Sequence, residues 1–312
     1  MKLSFVIPCY GSESTIAGVV SELKQTARTI PGCDYEIIMI SDCSPDQVYS
    51  VIQSLCREDP AHCKGAELAK NFGQHAALMA GYGMASGDYI VSLDDDGQAP
   101  VESVPALVDA LKDADIVFGS YAKKKHSAFR NFGSKVNDVM AQMLLGKPKN
   151  IHMTSFFGMR RFVMDEILKY DNSFPYLQGL LLRTSKRIAN VPVDHRERTE
   201  GKSGYTFFKL LALWTNGFTA FSVVPLRLAT ICGFLCAILG FLGGIWCIVN
   251  KLVRPNVPLG YSSMMASIFF IGGMLMLMLG LIGEYIGRTY ICINRAPQYV
   301  IRSTTSETKD EH

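Results

Sequence analysis

The chain has 312 residues, of which 48% are hydrophobic, with a formal net charge of +3 and a mean hydropathy of +0.16. This length allows one large domain or two smaller ones, and the apolar content is high for a purely soluble protein. The charge is too small to indicate nucleic acid as a partner, and the nine cysteines include no Cys-x-x-Cys pair, which argues against a zinc site and structural disulfides.

Strand and helix patterns alternate through the N-terminal part of the chain. Short apolar runs predict strands at residues 2–7, 35–40, 66–69, 88–93 and 116–119. A first helix is predicted by apolar residues at helical spacing, namely Ile16, Val19, Val20, Leu23 and Ala27. Further helices are expected at residues 47–55 and 74–84. This alternation predicts an α/β fold, with a mainly parallel sheet flanked by helices.

Polar segments follow four of the predicted strands, at residues 8–10, 42–44, 70–71 and 94–98. Ligands of parallel sheets bind beyond the carboxyl ends of the strands, so these segments are expected to converge on one edge. Neither a Gly-x-Gly-x-x-Gly motif nor a P-loop follows the first strand. A metal ion is therefore expected to hold any phosphate bound at this edge.

The acidic run Asp94-Asp95-Asp96, with Gln98 close behind, indicates where that ion binds. Adjacent carboxylates resist joint ionisation unless a cation relieves them, and Mg²⁺ and Mn²⁺ prefer oxygen ligands. Side chains alternate along a strand, so Asp94 and Asp96 are expected on one side and Asp95 on the other. A polar loop that merely ends the strand is the alternative for an isolated triplet.

Two segments predict contact with a membrane surface. Residues 120–147 interleave basic residues, including Arg130 and Lys135, with an apolar helical stripe, and residues 205–224 are nearly all apolar or aromatic. An ordinary amphipathic surface helix is the alternative for the first segment. Between them lies a loop of alternating charge, which is either solvated or phosphate-binding, and which contains Arg196, Arg198 and Ser203.

Two long uncharged stretches follow, at residues 228–249 and 255–283. Each is long enough to cross a bilayer, so they predict a helical hairpin anchor; a buried pair of core helices is the alternative. Basic residues on either side of the hairpin favour both ends in the cytoplasm. The N-terminus runs directly into a strand and lacks the features of a signal peptide, so the catalytic part is expected to stay cytosolic.

The ordered motifs carry a family resemblance. They comprise Phe5-Val6-Ile7-Pro8-Cys9-Tyr10, Ser41-Asp42-x-Ser44-x-Asp46, Asn71-Phe72-Gly73-Gln74 and Leu93-Asp94-x-Asp96-x-Gln98. Together they resemble family 2 glycosyltransferases of the GT-A fold. The two spans, with Glu197-Arg198-x-x-Gly201-x-Ser203 before them and Gly283-Glu284-Tyr285 in the second, look like the branch that acts on polyprenol phosphates, such as the undecaprenyl-phosphate glucosyl and aminoarabinosyl transferases and the dolichol-phosphate mannose synthases.

The resemblance implies a role for each matched position. The nucleotide sugar would be held by Pro8, Tyr10, Glu13, Asp42, Ser44, Asn71 and Asp94, with Asp42 facing the base. The Mg²⁺ or Mn²⁺ ion would be held by Asp94, Asp96 and Gln98, which makes Asp94 and Asp96 the catalytic residues. The acceptor phosphate and leaving diphosphate would be bound by Arg130, Lys135, Arg196, Arg198 and Ser203.

One departure concerns the sugar contacts. Members of the family often have an acidic residue shortly before the position of Phe156, yet no Asp or Glu occurs from Val139 to Met164, and Thr154 and Ser155 stand there instead.

The resemblance also implies a domain order and a reaction. A GT-A domain at 1–204, a juxtamembrane segment at 205–224, two transmembrane helices at 225–290 and a cytosolic tail at 291–312 are expected, in a multi-pass inner-membrane protein that forms a homo-oligomer. The reaction would be an inverting transfer from a nucleotide sugar, with UDP favoured, to undecaprenyl phosphate. A transferase acting on a glycan or lipid hydroxyl and an inactive membrane scaffold are the alternatives.

Overall fold

The computed structural model describes residues 1–121, 142, 147–173, 175–194, 224–253, 260–294 and 296–305. They fall into two compact units. One comprises the described residues from Met1 to Tyr205 and from Arg295 to His312, and the other those from Thr206 to Asn294. Most of the predicted interfacial segment at 120–147 and nearly all of the segment at 205–224 lie outside the described residues, as do Arg130, Lys135, Arg196, Arg198 and Ser203.

The first unit is built on a sheet of eight described strands. They are β1 (Lys2–Cys9), β2 (Asp34–Ser41), β3 (Cys63–Leu68), β4 (Tyr89–Ser92), β5 (Ile116–Tyr121), β6 (Phe157–Arg160), β7 (Ile188–Val193) and β8 (Ile301–Thr304). The flanking helices are α1 (Ile16–Arg28), α2 (Val48–Glu58), α3 (Gln74–Met84), α4 (Val104–Ala110), α5 (Arg161–Leu168) and α6 (Leu177–Thr184).

The order of strands across the sheet is β7-β5-β6-β4-β1-β2-β3-β8. Strands β4, β1, β2 and β3 run parallel to one another, as predicted. Strand β6 runs antiparallel between β4 and β5, and β8 pairs antiparallel with β3. The sheet is therefore mixed but mainly parallel, and the carboxyl ends of β1, β2, β3 and β4 share one edge.

Helices cover both faces of this sheet. On one face, Leu3, Phe5 and Ile7 of β1 belong to a buried cluster that includes the apolar side of α1. On the other face lies α3, where Gly81 permits a close approach: a Cβ there would come within 2.4 Å of Val6 Cγ1. This contact fixes the height of α3 on the sheet and brings its first residue, Gln74, to the carboxyl edge.

The predicted elements of the N-terminal part are confirmed. Helix α3 spans the predicted residues, and the five buried positions of α1 are the five that its periodicity indicated. Strand β3 begins at Cys63, three residues before the predicted start, and β1 continues to Cys9. Strands β6, β7 and β8 were not predicted, and β8 lies in the segment expected to be a tail.

The second unit contains two long helices, α7 (Val224–Val253) and α8 (Tyr261–Ile293). A Cβ on Gly233 of α7 would come within 3.1 Å of Met278 Cε on α8, so a small residue lies where the two helices touch. Within the described residues, the segment Phe270–Ile293 is long and apolar enough to cross a membrane, with a mean hydropathy of 1.7. The predicted division of the chain at 204, 224 and 290 stays a prediction.

A buried carboxylate joins three segments of the sheet. Glu36 of β2 is 1% exposed and accepts hydrogen bonds from Ser4 Oγ (2.6 Å), Ser86 N (2.6 Å) and Lys64 Nζ (2.7 Å). Burial raises the pKa of a carboxyl, but here the bonds from Lys64, Ser4 and Ser86 outweigh it and hold the pKa of Glu36 at about 2. The ionised form is therefore part of the fold.

We expect Glu36→Gln to destabilise the protein in a pH-dependent way. Because the folded-state pKa lies below the ordinary value, the ionised group stabilises the fold above about pH 5, by on the order of 3 kcal/mol, and this contribution is lost as the pH falls towards 2. The difference in thermal unfolding midpoint between wild type and variant should be largest at pH 7 and shrink by pH 3.

Asp109→Asn is the matched control. Its carboxylate also pairs with a lysine, Lys112, but the side chains of Lys112 and Asp109 are 69% and 74% exposed. An exposed ion pair contributes little to the free energy of unfolding. A Glu36→Gln effect as small as that of the control, or one of equal size at every pH, would contradict the assignment.

Candidate active site

The loops at the carboxyl edge are tied to one another by carboxylates. After β4, Asp95 Oδ2 accepts the backbone N–H of Tyr10 (2.8 Å), and the Asp95 carbonyl accepts Thr15 Oγ1 (2.7 Å). Burial raises the pKa of Asp95 to about 6, partly opposed by the Tyr10 N–H and reinforced by the charge of Asp94. Asp95 thus holds the loop after β1, and the predicted division of the triplet into two sides stays a prediction.

The loops after β1 and β2 are joined by a reciprocal pair. Asp46 Oδ2 accepts the Glu13 N–H (2.9 Å), and Glu13 Oε2 accepts the Gln47 N–H (3.0 Å). Ser44 Oγ donates to Asp46 Oδ1 (2.5 Å) and accepts the Gly11 N–H (2.8 Å). Glu13 and Ser44, both predicted to hold the nucleotide, therefore set the spacing between these two loops.

Asp42, at the end of β2, holds the loop before α3. It is 3% exposed, and its two carboxylate oxygens accept the N–H groups of Phe72 (2.7 Å) and Gly73 (2.8 Å). Burial raises the pKa of Asp42, and these two bonds oppose the rise. Its neighbour Cys43 has a φ of 50°, the left-handed region that non-glycine residues seldom adopt, so this loop is sharply constrained.

Asp94 is held from two sides by uncharged donors. Gln74 Nε2 donates to Oδ1 (2.7 Å), and Ser155 Oγ donates to Oδ2. Gln74 is the first residue of α3, and Ser155 lies just before β6.

Asp96 accepts a hydrogen bond from the backbone of its own loop. Its Oδ1 accepts the Gln98 N–H (3.0 Å) across Gly97, which has a φ of 72°. Burial, followed by the negative charges of Asp94 and Asp96, raises the pKa of Tyr121 to about 12. Both carboxylates therefore act on the same phenol.

The donor chemistry of this loop fits a divalent cation. Within the described part of the chain, no group of three or more His, Cys, Asp or Glu side chains is placed to hold an ion. Mg²⁺ and Mn²⁺ sites, however, commonly use only one or two carboxylates, with substrate phosphates completing the shell. Asp94 and Asp96 supply that number of hard oxygen ligands, and the Gln98 amide oxygen is of the same type.

The remaining predicted nucleotide ligands lie at the same edge. Pro8 is buried within β1, Asn71 is exposed in the loop before α3, and Tyr10 is 55% exposed. Sequence reasoning gave no role to Gln74, Ser155 or Tyr121, although Gln74 stands in the quoted Asn71–Gln74 motif. Ser155 was mentioned only because it stands, with Thr154, where members of the family often have an acidic residue.

Two family models match the chain. The model of glycosyl transferase family 2 matches residues 4–168, which contain every strand end described above, and that of the GtrB C-terminal hairpin matches residues 224–289. The chain belongs to glycosyltransferase family 2. The second match coincides with α7 and most of α8, so this glycosyltransferase carries the hairpin that its two apolar stretches predicted.

Curated relatives match along almost the full length. The undecaprenyl-phosphate 4-deoxy-4-formamido-L-arabinose transferase of Klebsiella pneumoniae is 31% identical over 99% of this chain and 97% of its own. The enzyme of that name from Proteus mirabilis is 30% identical over 99% and 95%. Among solved structures, glucosyl-3-phosphoglycerate synthase from Mycobacterium tuberculosis, with Mn²⁺, uridine diphosphate and phosphoglyceric acid, is similar over 64% of this chain and 72% of its own, with a TM-score of 0.48 and 18% identity.

We expect Asp95→Asn to be tolerated and Asp95→Ala to be destabilising. Asparagine keeps an oxygen that can accept the Tyr10 N–H, whereas alanine leaves this donor without its partner at a cost of about 1–2 kcal/mol. Thermal unfolding of the purified protein should therefore show a midpoint close to wild type for the first variant and one lower by about 2–4 °C for the second. Equal losses in the two variants would mean that the charge of Asp95, rather than its acceptor oxygen, holds the loop.

Proposed function

We propose that this glycosyltransferase transfers a sugar from a nucleotide sugar, a UDP-sugar by preference, to the phosphate of a polyprenyl phosphate such as undecaprenyl phosphate. The observation that carries the proposal is the pair Asp94 and Asp96 in one loop at the carboxyl edge of the sheet, where Asp94 is held by Gln74 and Ser155 and Asp96 accepts the Gln98 N–H. The full-length similarity to undecaprenyl-phosphate transferases supports the choice of acceptor.

The donor side of the reaction depends on positioning and charge. Asp94 and Asp96, with Gln98, would hold Mg²⁺ or Mn²⁺ on the diphosphate, and Pro8, Tyr10, Glu13, Asp42, Ser44 and Asn71 would line the nucleotide site. When bound, such an ion stabilises the charge that develops on the leaving diphosphate. The loops that carry these residues are cross-tied, so the site is arranged before the donor arrives.

The acceptor side needs cations but no general base. A phosphate monoester has a second pKa near ~6 and is already largely anionic at neutral pH. Its oxygen can therefore attack the anomeric carbon directly while the nucleoside diphosphate leaves, and a single displacement of this kind inverts the configuration. Arg130, Lys135, Arg196, Arg198 and Ser203 would hold the acceptor phosphate beside the donor diphosphate.

The apolar helices would keep the site at its lipid substrate. We place the protein in the inner membrane, with α7 and α8 as two spans, the catalytic unit in the cytoplasm and residues 120–147 in the interface. We also propose that it forms a homo-oligomer. Membrane association agrees with the GtrB hairpin that the chain contains.

Asp96→Asn should abolish transfer without unfolding the protein. The change removes one anionic oxygen from the cation site, which should lower the rate of transfer by on the order of 100-fold or more. The assay is the mass of the lipid product formed from undecaprenyl phosphate, a panel of UDP-sugars and GDP-sugars, and Mg²⁺ or Mn²⁺. Asp109→Asn, an exposed acid on α4, is the control. Full activity of Asp96→Asn would sink the metal assignment, and a product glycosylated on a hydroxyl would sink the acceptor.

Arg130→Ala should act on the acceptor rather than the donor. Loss of a cation from the acceptor site should raise the KM for undecaprenyl phosphate by about 10-fold, the equivalent of one charge-assisted hydrogen bond, and change the KM for the nucleotide sugar much less. Steady-state kinetics with each substrate varied in turn measure both constants. Equal increases in the two constants would argue against an acceptor role for Arg130.

A further inference from the structure

Both carboxylate oxygens of Asp94 are bound by side chains from elsewhere in the described fold. Gln74 holds Oδ1 from the start of α3, and Ser155 holds Oδ2 from the segment before β6. Among the other bonds at this loop, Asp95 Oδ2 accepts the Tyr10 N–H and Asp96 Oδ1 accepts the Gln98 N–H.

The strand register explains why Ser155 meets Asp94. Strands β4 and β6 are antiparallel, with Ser92 opposite Phe157 and Val91 opposite Gly158. Continuing this register by two residues beyond the end of β4 places Ser155 opposite Asp94. The contact therefore follows from the topology of the sheet, and it does not depend on the sequence of a flexible loop.

The loop before α3 explains why Gln74 meets the other oxygen. Asp42 holds the N–H groups of Phe72 and Gly73, and Gly73 has a φ of 91°, a conformation that favours glycine. The next residue, Gln74, begins α3. Asp42, after β2, is thus connected to Asp94, after β4. The connection consists of hydrogen bonds at each end and the backbone of residues 72–74 between them.

Uncharged donors suit a carboxylate that must also bind a cation. An ionised carboxylate has about four lone-pair sites on two oxygens, so each oxygen can accept a hydrogen bond and ligate a metal at once. A lysine or arginine in place of Gln74 or Ser155 would fix Asp94 equally well but would offset the negative charge that attracts the cation. An amide and a hydroxyl fix the side chain and leave the charge intact.

We propose that Gln74 and Ser155 are positioning residues that orient Asp94 for the complex of metal and nucleoside diphosphate. Gln74 also connects Asp42, in the proposed nucleoside subsite, with Asp94, in the proposed diphosphate subsite. The distance between the two subsites is thereby set before the donor binds. The inference rests on the proposed function, because it requires that Asp94 meets a metal-bound diphosphate.

The experiment measures UDP and GDP binding to the purified full-length protein by calorimetry, once with MnCl₂ and once with EDTA. Gln74→Ala and Ser155→Ala should each weaken binding with Mn²⁺ by about 5- to 30-fold, as expected for a lost hydrogen bond to a charged group, and change binding in EDTA by less than about 2-fold. Gln74→Glu should lose at least as much as Gln74→Ala, because it places a second carboxylate on Asp94. Ser155→Thr, which keeps the hydroxyl, should restore binding.

Ser185→Ala is the matched control. Ser185 Oγ also donates to a carboxylate, Asp115 Oδ2 (2.7 Å), but Asp115 precedes β5 and so lies at the opposite edge of the sheet. This variant should bind both nucleotides as wild type does, with and without Mn²⁺, whatever its thermal stability.

The outcomes separate the inference from the function on which it rests. Wild-type Mn²⁺ affinity in Gln74→Ala and Ser155→Ala, or equal losses with Mn²⁺ and with EDTA, would overturn the positioning role and leave the proposed function standing. A wild-type protein whose nucleotide binding does not depend on Mn²⁺, and which forms no lipid-linked sugar, would overturn both. A selective loss with Mn²⁺ that Ser155→Thr restores supports the proposal, because a purely structural defect would affect both conditions.

Discussion

The described loops that follow β1, β2, β3 and β4 must satisfy backbone N–H groups that no strand pairs, and the chain meets this requirement with aspartates. Asp42 holds Phe72 and Gly73, and Asp95 holds Tyr10. Each carboxylate belongs to one loop and binds the backbone of another, so no loop can move far by itself. A buried backbone N–H without a hydrogen-bond partner costs free energy. One carboxylate has about four lone-pair sites, so a single aspartate can accept several such N–H groups. The shape of the donor site is a consequence of this requirement.

The three adjacent acids after β4 differ in what surrounds them. Asp95 faces inward, where burial raises its pKa to about 6 and an acceptor for Tyr10 is needed. Asp94 and Asp96 face Tyr121, where their charges act together. All three acids lie beyond Ser92, the last residue of β4, and Gly97, with a φ of 72°, turns the chain between Asp96 and Gln98. Asp95 thus has a structural role in the described loops, and ligand binding by Asp94 and Asp96 stays a prediction.

What could be predicted from the sequence follows from which interactions are local. The five buried positions of α1 were found because periodicity records them directly, and the parallel strands because each apolar run ends in a polar loop. Strand β6 has only four residues, Phe157 to Arg160, and is a strand because β4 and β5 lie on either side of it. Without that pairing, nothing in the sequence places Ser155 beside Asp94, 61 residues away. The acids proposed to hold a metal could be picked out because they form a motif, whereas Gln74 and Ser155, which bond to Asp94, belong to no motif that pairs them with it.

Strand β8 changes how the C-terminal part of the chain is understood. The segment after the hairpin was expected to be a tail, yet Ile301–Thr304 pairs with β3, and Thr305 exchanges hydrogen bonds with Gly65 through its N–H and its Oγ1. Gln298 adds bonds to the carbonyls of Tyr170 and Asn172. In chain order the two long helices are therefore inserted into the catalytic unit, before its last strand. An anchor appended after a finished domain can be cut away without loss to the sheet. Here the same cut would remove β8 and leave β3 as an exposed edge strand, which can pair with other chains. The sheet of the catalytic unit therefore needs the segment that follows the hairpin in the sequence.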